Sequence, residues 1–363
     1  MPDSDASGPD AAETTPSLPV GSTLYVGGYS GEEAQRVGVE AYRLDAAEGT
    51  QVAVTELPAV PLHSPSYLVR HPDRPLLYAV SESDPTTVSA LEITDDGELE
   101  LLNTVVAEGS GGCHVALDET GRFVLVAHYG SGGVSTFAIA ADGRLSEQLD
   151  SHAFSGSGAD PERQDAAHAH QVVAHHGRLL VCDLGTDQVH QLRLDPEGHL
   201  SVAADPVVLP AGSGPRHLVV TDHHLVVACE LSGRLWLARR EGDQWVEADH
   251  VPATSADTSE APCAPSALRL DGGQVVVGNR GPDTFAVFDL DTEEHRLVPV
   301  AEARTGGAVP RDLILSPTHL WVANQDSDTV VAHRRPAEGS TEWVLDFEIP
   351  TAKPTALVLT EEA

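Results

Sequence analysis

A short phrase recurs along this chain: a small apolar strand, a tight polar turn, and a second apolar strand that ends on a polar side chain. The clearest copy is Pro215-Arg216-His217-Leu218, a turn at Asp222-His223-His224, and a return ending in Ala228-Cys229-Glu230. A hairpin sets the start of one strand beside the end of its partner, so Glu230 comes next to Arg216 and His217. Pro65-Ser66-Tyr67-Leu68 leads likewise to Tyr78-Ala79-Val80-Ser81-Glu82, and Cys113-His114-Val115 to Val126-Ala127-His128-Tyr129. His168-Ala169-His170-Gln171 leads to Val181-Cys182-Asp183, Pro265-Ser266-Ala267-Leu268 to Gly278-Asn279-Arg280, and Pro310-Arg311-Asp312-Leu313 to Val322-Ala323-Asn324-Gln325. Copies spaced roughly 45–55 residues apart have the period of propeller blades.

A third apolar run follows most copies, such as residues 133–139, 188–194 and 234–239, and a more polar fourth usually comes after it. No run of ten or more residues carries a convincing helical spacing of apolar positions. Four short strands per repeat make a blade, so the fold class is all-β. The ends complete the ring. Residues 354–359 read as a first strand with nothing after it, and residues 24–29 as a second strand with nothing before it. Joined, they give a seventh blade and remove the open edges a sheet must otherwise protect. The expected architecture is a seven-bladed propeller over residues 23–363, closed by pairing of the terminal strands, behind an acidic disordered tail over residues 1–22. Six blades with a loose end is the rival count.

The formal net charge is −35 over 363 residues, which argues against nucleic acid or an anionic membrane as partner. Residues 1–22 lack a basic start and an apolar segment, so they do not read as a signal peptide, and no stretch reads as a membrane span. A reduced, cytoplasmic protein, monomeric or weakly oligomeric, is expected. The cysteines, Cys113, Cys182, Cys229 and Cys263, show no Cys-x-x-Cys spacing. Cys182 and Cys229 read as buried thiols at equivalent positions in neighbouring blades.

The innermost strand of a blade crosses the disc and the second strand returns, so starts and returns converge on one mouth of the central channel. The returns supply Tyr29, Glu82, Tyr129, Asp183, Glu230, Arg280 and Gln325; the starts supply Ser66, His114, His170, Arg216 with His217, Ser266, and Arg311 with Asp312. Convergent polar groups at a concavity are what a ligand site requires, although Asp or Asn at a strand end also caps loops. Isolated histidines such as His152, His175, His223 and His333 read as solvated. Arg216 and Arg280 beside Glu230 and His170 are harder to assign to structure alone, because buried Arg is placed with a partner. Two longer loops, residues 155–167 with Arg163 and Gln164, and residues 253–264, would overhang the mouth. His168 and His170 share a strand face, with His114, Glu230 or Asp183 as conceivable third ligands, but the set is weak and no metal is expected.

The chain resembles the seven-bladed propeller lactonase family, which includes propeller-type 6-phosphogluconolactonases and carboxy-muconate cyclases. The resemblance covers roughly residues 23–360. It rests on Tyr25-Val26-Gly27-Gly28-Tyr29, Arg163-Gln164 before His168-Ala169-His170, Gly214-Pro215-Arg216-His217, Glu230-Leu231, Asn279-Arg280 and Pro310-Arg311-Asp312. In the cyclase branch a His, a Glu and two Arg form the site, and by motif these fall on His170, Glu230, Arg216 and Arg280. The resemblance implies an enzyme without a metal or organic cofactor. The chain departs from it at Gln171, where many relatives carry a small residue such as Ser.

The expected reaction is hydrolysis of a sugar lactone, foremost 6-phosphogluconolactone to 6-phosphogluconate. Arg216 and Arg280 would hold the oxyanion or an anionic substrate group. His170 or Glu230 would activate water, and the residues leave both assignments open. His114, Asp183, His217, Arg163, Gln325 and Arg311 are expected to contact substrate. A non-catalytic binding propeller and a lactonising cyclase acting on a muconate-type diacid are the alternatives.

Overall fold

The structure, a computed structural model, describes residues 21–30, 38–46, 52–337 and 339–360. Among these residues the strands form seven four-stranded antiparallel sheets. Six are consecutive in sequence, and we number them blades 2 to 7, starting at Pro65, Gly112, Ala169, Pro215, Ala264 and Pro310. Blade 1 takes its innermost strand, Pro354–Thr360, from the end of the chain and the other three, beginning with Ser22–Gly28, from its start. The two termini are joined antiparallel, with Thr23 opposite Thr360 and Val26 opposite Leu357. The count is therefore seven, and closure is by terminal pairing. The tail expected over residues 1–22 lies outside the described residues except for Gly21 and Ser22, and Ser22 opens the first strand.

Packing explains the pattern of the second strands. Leu76–Ser81, Phe123–His128, His224–Cys229 and His319–Asn324 are buried at every residue, because each sheet is covered on both faces by its neighbours and alternation gives way to near-continuous apolar runs. Seven apolar clusters result, one between each adjacent pair of blades. Trp236 and Trp321 are the largest fully buried side chains. Each buried Leu or Val contributes about 1.5–3 kcal/mol. The outer strands, such as Val52–Pro61 and Leu200–Val208, are far more exposed, each with only one or two buried residues. No helix among the described residues is long and apolar enough to cross a membrane.

One irregularity is common to all seven blades. The ladder between the innermost and second strands slips near the start of the inner strand: Ser66, Cys113, His170, Arg216, Ser266 (with Ala267), Arg311 and Thr355 lack a directly opposed partner. These are β-bulges, which re-aim the extra side chain. Proline precedes the bulge at Pro65, Pro215, Pro265, Pro310 and Pro354; without an N–H to give the ladder, it is tolerated at a strand's start or a bulge.

The bulges fix which returning residues are equivalent. Ser81, His128, Asp183, Cys229, Asn279 and Asn324 all face the residue before the bulge. The next position, which overhangs the mouth, holds Tyr29, Glu82, Tyr129, Leu184, Glu230, Arg280 and Gln325. The expectation for Asp183 is thus off by one residue: Leu184 is the equivalent of Glu230. Cys182 and Cys229 are likewise one position out of register, though both are buried in the cluster between blades 4 and 5.

Candidate active site

Glu230 is the hub of the mouth. It follows the second strand of blade 5, its backbone N–H donates to Gly214 O at 2.8 Å, and only 4% of it is exposed. Its Oε2 accepts from Arg216 Nη1 and lies against Arg280 Nη2, both at 2.7 Å. Its Oε1 accepts from Arg163 Nη2 at 2.8 Å. Burial alone would raise the pKa of this carboxyl, but the charges of Arg216 and Arg280, with His170 and the bond from Arg163, carry it well below the usual range. Glu230 is a carboxylate that orients three guanidiniums.

His170, at the bulge of blade 4, is buried and stands 2.5 Å from Arg216 Nη1 through its Nε2. A guanidinium only donates, so Nε2 is the acceptor and the ring proton sits on Nδ1, 3.8 Å from Cys113 Sγ. Burial, then the charge of Arg216, depress the pKa of His170 well below its ordinary value, against the opposing pull of Glu230. Arg216 Nε is buried without a protein acceptor, a spare donor at the centre of the site. Burial and the neighbouring Arg216 lower Arg280 to about 10, so it stays charged at neutral pH.

Two further arginines reach the rim. Arg311, at the bulge of blade 7, donates to Tyr29 OH at 2.6 Å, and Tyr29 donates to Glu82 Oε2 at 2.8 Å. This chain ties blade 7 to blades 1 and 2. Arg163 arrives from the loop of residues 155–167 and also donates to Tyr129 OH at 3.3 Å. Tyr129 in turn stacks on His168, with centroids 4.5 Å apart. The loop is pinned by the buried Gln164, whose Nε2 donates to Leu184 O and Asp187 Oδ1, each at 2.8 Å. Four arginines (Arg163, Arg216, Arg280, Arg311) against two carboxylates (Glu82, Glu230) leave the mouth two positive charges in excess, in a chain whose sum is −35.

Beneath this tier lies a second. His217 and His114 stand edge-on with centroids 5.7 Å apart, and His217 is the same distance from His170. Tyr67 packs on His114 at 4.3 Å, and Arg269 is paired with Asp312 at 2.5 Å. Burial, then Arg269 and Arg216, depress His114 to about 3; burial and Arg216 depress His217 as well. Both rings are neutral floor elements.

The structure thus brings His170, Arg216, Glu230, Arg280 and Arg163 into direct contact, places Arg311 on the rim, and sets His114 and His217 in the floor. Asp183 is elsewhere: fully buried, it accepts from the backbone of His168 and Gly185 and pairs with His190 Nε2 at 3.0 Å. Gln325 does not join the cluster either, since its amide donates to Asp326 in a short turn. His168 is turned away from His170, with Nδ1 on Tyr129 O and Nε2 on Asp165. His333 is not solvated but 2% exposed, and its Nε2 meets Thr305 O at 3.1 Å. Arg269 was not anticipated; a lone charge in the apolar run Ser266-Ala267-Leu268-Arg269-Leu270 was its only signal. A hollow of about 580 Å³ opens between the outer strands of blades 4 and 5 beside Trp245, but its lining holds neither histidine nor arginine. Chemistry, not volume, selects the mouth.

Seven blades enclose a buried His–Arg–Glu–Arg cluster, an architecture shared with known proteins. The profile described as "Lactonase, 7-bladed beta-propeller" matches residues 23–358; the chain belongs to that family and is a lactone hydrolase. A 6-phosphogluconolactonase of Bacillus subtilis is 30% identical over 349 residues, covering 92% of this chain and 97% of that protein. An uncharacterized protein of Staphylococcus aureus is 30% identical over 317 residues, covering 84% and 91%. Among solved structures, the periplasmic gluconolactonase of Pseudomonas aeruginosa superposes with a TM-score of 0.84 at 27% identity, covering 93% of this chain and 98% of that one.

Proposed function

We propose that the substrate is 6-phosphogluconolactone and the product 6-phosphogluconate. The observation that carries this reading is the local excess of guanidinium at the mouth of a strongly acidic protein, which suits a lactone bearing a phosphate. The name of the B. subtilis relative supports it. In this reading Arg163 and Arg311, on opposite sides of the rim, receive the phosphate, and Arg216 and Arg280 face the lactone carbonyl.

Water adds to the carbonyl carbon, and its proton passes to His170 Nε2. In the resting site that lone pair is engaged by Arg216 Nη1. When the carbonyl oxygen becomes an oxyanion, Arg216 turns its N–H to it and frees the imidazole. Oxyanion donors act because they match charge that develops only in the transition state. Glu230 offsets the charge of the imidazolium. The ring C–O bond then breaks, the ring oxygen takes the proton back from His170, and the open-chain acid ionises. Glu230, held well below the usual carboxylate range by its arginines, is assigned the partner's role rather than the base's. A sugar-phosphate substrate and four unpaired thiols fit a cytoplasmic seat.

The test is a pH-stat assay on fresh 6-phosphogluconolactone and on unphosphorylated gluconolactone, with spontaneous hydrolysis subtracted. Preference for the phosphorylated lactone, with a loss of about 10²–10⁴ in kcat/KM in His170→Ala, is the expected result. No rate above background on either substrate overturns the assignment.

A further inference from the structure

On the face of the disc opposite the mouth, the turns of blades 4 and 5 bring together His175, His176 and Asp222, one donor atom of each lying within 4.8 Å of the others. We propose that this trio is a divalent transition-metal site, taking Zn2+ or a similar borderline cation, that clamps the two blades together.

Two imidazoles and a carboxylate are the donor set such ions prefer. His176 Nε2 already stands 2.7 Å from Asp222 Oδ1, so a cation entering there takes the Nε2 lone pair and the carboxylate oxygen while the imidazole keeps its one ring proton on Nδ1. His175 Nε2 is buried with no partner. The turn is preset. His176 holds φ at +49°, a conformation uncommon for a residue with a side chain. Glu119, from the matching turn of blade 3, fixes it by accepting from His176 N at 2.6 Å and Gly177 N at 2.7 Å. Closing the three donors to the roughly 3.4 Å spacing set by ~2.1 Å metal bonds in a tetrahedron requires side-chain rotation alone, since His176 and Asp222 are exposed. Around the trio the charge is balanced, Glu119 and Asp243 against Arg178 and Arg240, and the two arginines are engaged by Asp243, so Asp222 supplies the negative charge that a cation would meet. Water fills the fourth position.

The site shares no residue with the mouth, so its test is independent of the proposed substrate. Metal-free, untagged full-length protein is titrated calorimetrically with Zn2+, and in parallel with Co2+, whose visible absorption reports tetrahedral ligation. One equivalent should bind, the melting temperature should rise with metal, and His176→Ala and Asp222→Ala should each weaken binding by ~10-fold or more while folding normally and leaving lactone hydrolysis unchanged. Absence of binding at millimolar metal overturns the proposal, and so does binding that is equal in wild type and both variants, which would locate the ion on other histidines.

Discussion

In the proposed mechanism His170 is the base, and the protein disfavours its protonated form; the consequences divide between activity and stability. Because burial and Arg216 hold its pKa well below the ordinary value, the imidazole is already neutral at pH 6.5. A base must be unprotonated to act, so lowering its pKa moves the acid limb of kcat/KM to lower pH. We expect kcat/KM to stay level from pH 8 through pH 6 and to fall only well below that; a midpoint near 6.5 would point to an exposed histidine instead. Stability behaves oppositely. The unfolded chain takes up protons on its histidines below about pH 6.5, whereas folded His114, His170 and His217 do not, so the unfolded state binds more protons and stability falls as pH falls. With His114 held near 3, that residue alone costs about 2 kcal/mol at pH 5. The melting temperature should therefore already decline from pH 7 to pH 6, where kcat/KM does not. At this scale the sequence was legible where charge repeats: Glu230 and Arg280 occupy the overhanging position and are ionisable. It misled where Leu184 occupies that position, because alignment by polarity then selects Asp183 one residue early.

The bulge is the element that turns a strand into a site. It appears in every blade, yet only in blades 4, 5 and 7 does it carry a side chain long enough to reach the axis with charge or a lone pair: His170, Arg216 and Arg311. Elsewhere it holds Ser66, Cys113, Ser266 and Thr355. Proline before the bulge hinted at it, but the slip in register depends on pairing that a single strand's residues do not state. The loop of residues 155–167 is the second working element. Gln164 is 1% exposed and joins the loop to Leu184 and Asp187, so its neighbour Arg163 reaches Glu230 by constraint rather than by chance. Arg163→Ala should lower kcat/KM roughly tenfold by removing one charge-assisted contact. Gln164→Ala should give a similar loss by releasing the loop, and also about 1–3 kcal/mol of stability, since buried acceptors are left unpaired. The double variant should lose scarcely more activity than either single one. Full additivity in kcat/KM would show that Gln164 does not act through Arg163.

Seven blades were legible because a repeat of roughly constant period cannot bury its apolar faces except against copies of itself, and because the orphan strands at the two ends complement each other. What no local reading contains is the field of the whole molecule. Its net charge of −35 surrounds a mouth with two positive charges in excess, so an anionic lactone meets repulsion at a distance and attraction at contact. These respond differently to salt. The Debye length is about 10 Å at 0.1 M, so added electrolyte removes the long-range repulsion of the surface carboxylates, while pairs inside the mouth, around a Glu230 that is 4% exposed, are screened far less. For 6-phosphogluconolactone, kcat/KM should therefore rise by about two- to threefold between low salt and ~0.15 M, and the neutral gluconolactone should show no such rise. A fall for the phosphorylated substrate alone would mean that the field of the arginines extends beyond the rim and governs encounter, and that the acidic surface is electrostatically remote from the site.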